Sequence, residues 1–227
     1  MIVAILLSVH LLADFLFQSS AVLERKRQER KFLFLHCFIY FIVFEILFFI
    51  LFQCEKAFLL GLIISILHFL INFIKNKLEE EFKEKKENYK INLISDTYVI
   101  YTKEAELSNK LSKRLIELCL VNNLLIRGAT SYGKFYNNDM VYIGQAVDEA
   151  ASWHEKGEEI GIFYTSSARL STNLSDNELE KYLLINDEVN TKIGKIKTYF
   201  INWYNNITER NFYSIMKNEI INCYCTR

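Results

Sequence analysis

Three apolar runs crowd the first third of the chain: Met1 to Phe17, Leu33 to Phe52 and Ala57 to Ile74. Each approaches the roughly 20 residues with which a helix, rising about 1.5 Å per residue, crosses about 30 Å of hydrocarbon. Such runs must be buried in lipid or in a protein core, and Phe38 to Phe52 carries a single charge, Glu45. The expectation is a lipid-embedded anchor of three transmembrane helices over residues 1–77. The first run starts with no basic leader and no small-residue cleavage pattern, which argues for a retained span rather than a removed signal peptide.

Charge placement orients the anchor. Arg25, Lys26, Arg27, Arg30 and Lys31 outweigh Glu24 and Glu29 in the first connection, the Gln53 to Lys56 connection is nearly neutral, and Lys75, Lys77, Lys83, Lys85 and Lys86 follow the third run. Basic loops stay on the cytoplasmic side, so the rest of the chain is expected at the inner face of a bacterial cytoplasmic membrane. The whole chain is neutral, with 27 basic and 27 acidic residues, and no long-range field favours nucleic acid as a partner. Cys37, Cys54, Cys119, Cys223 and Cys225 lack paired zinc-site spacing and read as reduced cysteines.

Polar residues within the spans fall into a pattern. His10, Asp14 and Gln18 recur every four residues on one face of the first helix, His68 and Asn72 repeat that spacing on the third, and His36 sits about one turn inside the second. The inferred orientation puts Asp14, Gln18, His36, His68 and Asn72 in the cytoplasmic half of the bilayer. An ionisable group there costs about 2.5–3.5 kcal/mol, so these residues should face one another. Two readings follow: interhelical hydrogen bonding, or a buried metal or proton site built from imidazole and carboxylate. Glu45 is expected on another face, as an oligomer contact.

At these residues the segment resembles a bacterial membrane family known as domain of unknown function 3307, whose first helix has the pattern His-x3-Asp-Phe-x2-Gln. Here it reads HLLADFLFQ from His10 to Gln18, followed by LHCFIYF around His36 and HFLINFIK around His68. Asn72 stands where the family pattern implies Asp. The resemblance covers about Met1 to Lys77 and implies no activity.

Beyond the anchor, Glu79 to Lys90 reads as a charged helical connector, within residues 78–90, leading to an α+β domain over 91–227. Ile91 to Tyr101 is β-branched and aromatic with a break at Ser95 and Asp96, which predicts a hairpin. Leu107, Leu111, Leu115 and Leu118 predict an amphipathic helix over Leu107 to Leu120. Strands are expected over Leu124 to Phe135, Ile160 to Thr165 and Lys195 to Trp203, helices over Gly144 to Glu155, Asp176 to Leu184 and Glu209 to Asn222, and a polar loop over Ser166 to Ser175. Trp153, His154 and Trp203 read as packing residues. The alternation predicts a largely antiparallel sheet with helices on one face.

The segment from Ile91 to Ser167, within a stretch reaching about residue 205, resembles the class III nucleotide cyclase homology domain. INLISDTYVIY resembles its central hairpin, LLIRGATSYGKFY a following strand, YIGQAVDEAASWHE the IGxxVNxAxRLE helix and EIGIFYTSS the next strand. The resemblance implies a nucleotide ligand with Mg or Mn, a homodimer, and Asp96 as a metal ligand. Asp148 stands at the position of the transition-state Asn, Ser152 at that of the Arg and Asn92 at that of the base-selecting Lys. With those roles missing, a degenerate nucleotide-sensing or assembly module is expected, with Arg127 either serving strand packing and an ion pair with Asp148 or Glu149 or meeting a phosphate. The alternatives are a divergent cyclase using Asp96 and Asp148, and a membrane metal or proton site with a regulatory soluble domain.

Overall fold

The structure, a computed structural model, describes residues 29–52, 55–94, 96–138 and 141–204. The chain divides into two units, Met1–Tyr101 and Thr102–Arg227. The first apolar run with His10, Asp14 and Gln18, the final helix expected over 209–222, and Cys223 and Cys225 lie outside the described residues.

In the first unit the second and third apolar runs form α1 (Arg30–Phe52) and α2 (Glu55–Glu81), joined by two residues and packed against each other. On α1 the buried seam is Leu33, His36, Cys37, Tyr40, Phe44 and Phe48. On α2 it is Gly61, Ser65, His68, Asn72 and Lys75, a four-three alternation that keeps one stripe facing a partner helix. The outer faces carry Phe34, Phe38, Ile46, Phe49, Phe58, Leu59 and Ile66 exposed. Histidine, asparagine and lysine lie inside, beside Phe44 and Phe48, while most of the exposed surface is phenylalanine, leucine and isoleucine. A hairpin folding in water would reverse that distribution, because removing apolar surface from water is what drives burial.

The connector expected to be helical over Glu79 to Lys90 is so only at its start, because α2 ends at Glu81 and is followed by a 3₁₀ turn over Lys83–Lys85. The hairpin of β1 (Tyr89–Ile94) and β2 (Thr97–Thr102) follows. The Tyr98 hydroxyl donates to the Ile71 carbonyl at 2.8 Å and the Tyr89 hydroxyl to the Glu79 carbonyl at 3.3 Å, strapping the hairpin along the last turns of α2. Among the described residues β1 and β2 form a two-stranded sheet of their own. They are not the central hairpin of a larger sheet, as the cyclase resemblance implied.

The second unit opens with α3 (Ala105–Val121), on which Leu107, Leu111, Leu115 and Leu118 are buried as their spacing predicts. Then come β3 (Arg127–Thr130), the small hairpin β4 (Tyr136–Asn138) and β5 (Val141–Ile143), and α4 (Gln145–Lys156). The remainder is β6 (Gly161–Tyr164), α5 (Ser166–Thr172), α6 (Asp176–Leu179), β7 (Leu184–Thr191) and β8 (Gly194–Ile201). The main sheet has the order β3-β6-β8-β7.

Four expectations change here. The sheet is mixed, because the path through α4 brings β6 back parallel to β3, while β6–β8 and β7–β8 are antiparallel. Helices cover both faces rather than one. Successive strand residues point to opposite faces, and Phe163 packs edge-on against Trp153 of α4 while the Tyr164 hydroxyl donates to Asn109 of α3 at 2.7 Å. The helix expected from Asp176 to Leu184 stops at Leu179, and β7 takes up the following residues. Its sequence, LINDEVNT, conceals an edge strand, since Asp187 and Glu188, which point to opposite faces, are both exposed. The loop expected over Ser166 to Ser175 is largely α5.

Burial pushes the Cys119 thiol up to about 12, and it pushes the Tyr164 hydroxyl up to about 12 although the hydrogen bond to Asn109 pulls the other way. Both groups are neutral in the fold and ionise earlier in the unfolded chain. Their contribution is complete below about pH 9 and is lost as pH rises toward 12, on the order of 3 kcal/mol each. Thermal melts followed through the two tryptophans, Trp153 and Trp203, should show a stable plateau near neutrality and a steep fall above about pH 10. A flat profile across that range would refute the burial of these groups.

Candidate functional site

Of the residues singled out within the spans, the structure brings His36, His68 and Asn72 together. His36 Nε2 lies 2.8 Å from His68 Nε2, with the rings tilted by 40°. Tyr40, one turn along α1 from His36, stacks flat on His68 with ring centroids 4.1 Å apart. His36 is 0% exposed, and His68, Asn72 and Tyr40 are each nearly enclosed.

Asn72 Nδ2 donates to the carbonyl of His68 at 3.0 Å and lies 3.1 Å from His68 Nε2. Across the 2.8 Å contact one imidazole donates Nε2–H to the other, the direction following from the tautomer. The pair is a hydrogen bond between α1 and α2.

The pair lies within one turn of Ile71, whose carbonyl receives the Tyr98 hydroxyl of the β1–β2 hairpin. Along α2 the polar stripe continues to Lys75, buried and 3.8 Å from Glu79. Glu45 does not point away as an oligomer contact. Its Oε1 is buried against α2 at Gly61, where any Cβ would collide with it.

The nucleotide-binding candidates are placed differently. Asp96 is exposed in the β1–β2 turn, where it accepts from the Thr97 hydroxyl at 3.4 Å, the ordinary behaviour of a turn aspartate. Asp148 is exposed on α4, in the second unit. Arg127 donates to the Gly157 carbonyl at 3.2 Å, tying β3 to the end of α4. Tyr132, Gln145, Asp148, Glu149 and Ser167 line a concavity of ≈ 560 Å³ with two carboxylates and no cation. Glu149 Oε1 accepts from the Ser167 amide at 3.3 Å, so the start of α5 is already faced by an anion. These charges oppose a triphosphate there. Among the described residues no group of three or more His, Cys, Asp or Glu side chains is placed to hold a metal ion.

Two features escaped sequence reasoning. Tyr40 is one aromatic among many in α1, and only its stacking on His68 sets it apart. Gly61 has a signal in retrospect, as a lone glycine inside an apolar helix.

Both described spans, Lys31–Ile50 and Phe58–Glu81, are long and apolar enough to cross a membrane. No curated protein and no solved structure matches the chain. The family described as a protein of unknown function (DUF3307) matches residues 2–111. That match extends beyond the apolar segment through the β1–β2 hairpin into α3, so INLISDTYVIY, which carried the cyclase resemblance, falls within the region that the family covers.

Proposed function

We propose that this is a multi-pass protein of a bacterial cytoplasmic membrane whose working site is the His36–His68 pair, a proton-binding switch that the cytoplasmic α+β unit reads out. The observation that carries this reading is the 2.8 Å contact between two buried imidazole Nε2 atoms. Imidazole is the side chain whose ordinary titration lies between about pH 5 and 8. The 2.8 Å contact places one bridging proton between the two rings, so a proton added to either ring is felt by the other. The pair thus takes up one proton as a unit.

Position supports the same reading. Both imidazoles sit near the end of the hairpin where Tyr98 reaches Ile71, so protons arrive from the aqueous side without crossing the hydrocarbon. Metal binding fits the described residues less well, because two imidazoles and an amide fall short of the usual four-ligand zinc shell and the bridging proton would have to leave first.

Nitrogen-15 histidine spectra of the full chain in lipid nanodiscs, recorded between about pH 5 and 8, test the proposal. A single protonation step shared by both residues is expected, with His36→Gln abolishing it. Spectra unchanged over that range would reduce the pair to interhelical hydrogen bonding and overturn the reading.

A further inference from the structure

We propose that Glu45 is a second proton-exchange site, deeper in the helical hairpin and independent of the histidine pair. Glu45 Oε1 is a buried atom without a hydrogen-bond partner among the described residues. Ser65, which is 8% exposed, has a buried Oγ in the same condition. Gly61 and Ser65 lie four residues apart on one face of α2, so the hydroxyl is about one turn from the glycine against which the carboxyl rests. A buried carboxyl oxygen without a hydrogen-bond partner calls for a proton of its own. A carboxylate would stand in this seam without a cation or a donor, whereas the protonated acid carries no charge there.

Among the described residues, the surroundings hold little else that can titrate. Along α1 from residue 38 to 52 and α2 from 57 to 67, Tyr40 and Glu45 are the only titratable side chains. The notch itself is specific to glycine. A Cβ at residue 61 would occupy the place of Glu45 Oε1, and only the far end of a flexible side chain would need to move. Glu45 lies nine residues beyond His36 on α1, about 13 Å along the helix axis and so toward the middle of a bilayer.

An apolar carbodiimide, dicyclohexylcarbodiimide, tests this on the full chain in lipid nanodiscs. The acid transfers its proton to a carbodiimide nitrogen, the resulting carboxylate adds to the central carbon, and the adduct rearranges to a stable acylurea with no leaving group. Mass spectrometry of the Glu45 peptide should show this adduct, about tenfold more abundant near pH 6 than near pH 9. Glu45→Gln should remove it. Gly61→Ala should preserve helix content while moving the carboxyl out of its notch, so that a water-soluble carbodiimide labels it instead. Labelling at Glu45 should persist in His36→Gln and His68→Gln, which separates this site from the histidine pair. Absence of the adduct in the native chain, labelling indifferent to pH, or protection by sodium ions would each overturn the proposal.

Discussion

Replacing Asn109 with leucine is expected to destabilise the α+β unit by about 2–5 kcal/mol, a large share of the roughly 5–15 kcal/mol that holds a domain together. Asn109 is 0% exposed on α3. Its Nδ2 donates to the Tyr182 carbonyl at 2.9 Å, and its Oδ1 accepts from the Tyr164 hydroxyl at 2.7 Å. One amide therefore joins α3 to the segment entering β7 and to the central strand β6. Leucine has similar bulk but satisfies neither group, and each buried polar atom left unpaired costs about 1–3 kcal/mol. Tryptophan fluorescence during urea unfolding reports this unit alone, because Trp153 and Trp203 are the only tryptophans. Adding Tyr164→Phe to the leucine variant should recover part of the loss, since it removes one orphaned hydroxyl. A single-variant loss below about 1 kcal/mol would mean that the amide is not the link between these elements.

In the helical hairpin, His36→Leu and His68→Leu should each lower thermal stability in nanodiscs, and the double variant should lose less than the sum of the two. The expected coupling is about 1–2 kcal/mol, the upper part of the range for hydrogen bonds between membrane helices. Asn72 and Tyr40 make the pair more than one isolated bond. Asn72 orients His68 through both its ring nitrogen and its carbonyl, and Tyr40 stacks on its ring at 4.1 Å. The coupling should strengthen in acid, where an added proton makes the bond between the two rings charge-assisted, and His36→Gln should retain the helix contact while losing that pH dependence. Strictly additive effects would show that the imidazoles do not act as a pair.

Some of this architecture can be read directly along the chain. The apolar runs beginning at Leu33 and Ala57 demand helices, and the four-residue spacing of His68 and Asn72 sets both on one face. The leucines of α3 and the broken β-branched run around Asp96 are equally direct, because helical and extended periodicities are local properties of the backbone. Resemblance was less secure. The blocks from Ile91 to Ser167 suggested one sheet, yet β1 and β2 pair only with each other among the described residues. Strand-forming composition specifies a pleated, half-buried surface without naming the strand that will lie beside it.

Edge strands and short helices were the least legible elements. β7 carries Asp187 and Glu188 exposed on its two opposite faces, so its buried residues, Leu184, Val189 and Thr191, are too sparse to announce a strand. Its place depends on β8, which pairs with it through a two-residue connection from Thr191 to Gly194. The parallel pairing of β3 and β6 likewise depends on where α4 packs, a contact between residues far apart in sequence.

The sequence by itself determined that two long apolar helices form, that polar residues on them recur on single faces, and that strands and helices alternate beyond them, because each of these follows from the spacing of side chains along a helix or a strand. Only the tertiary structure decided that His36 meets His68 through Nε2, that Tyr40 stacks on the same ring, and that Glu45 rests in the notch left by Gly61, because partners on different helices are selected by packing in three dimensions and leave no periodic trace in either segment alone.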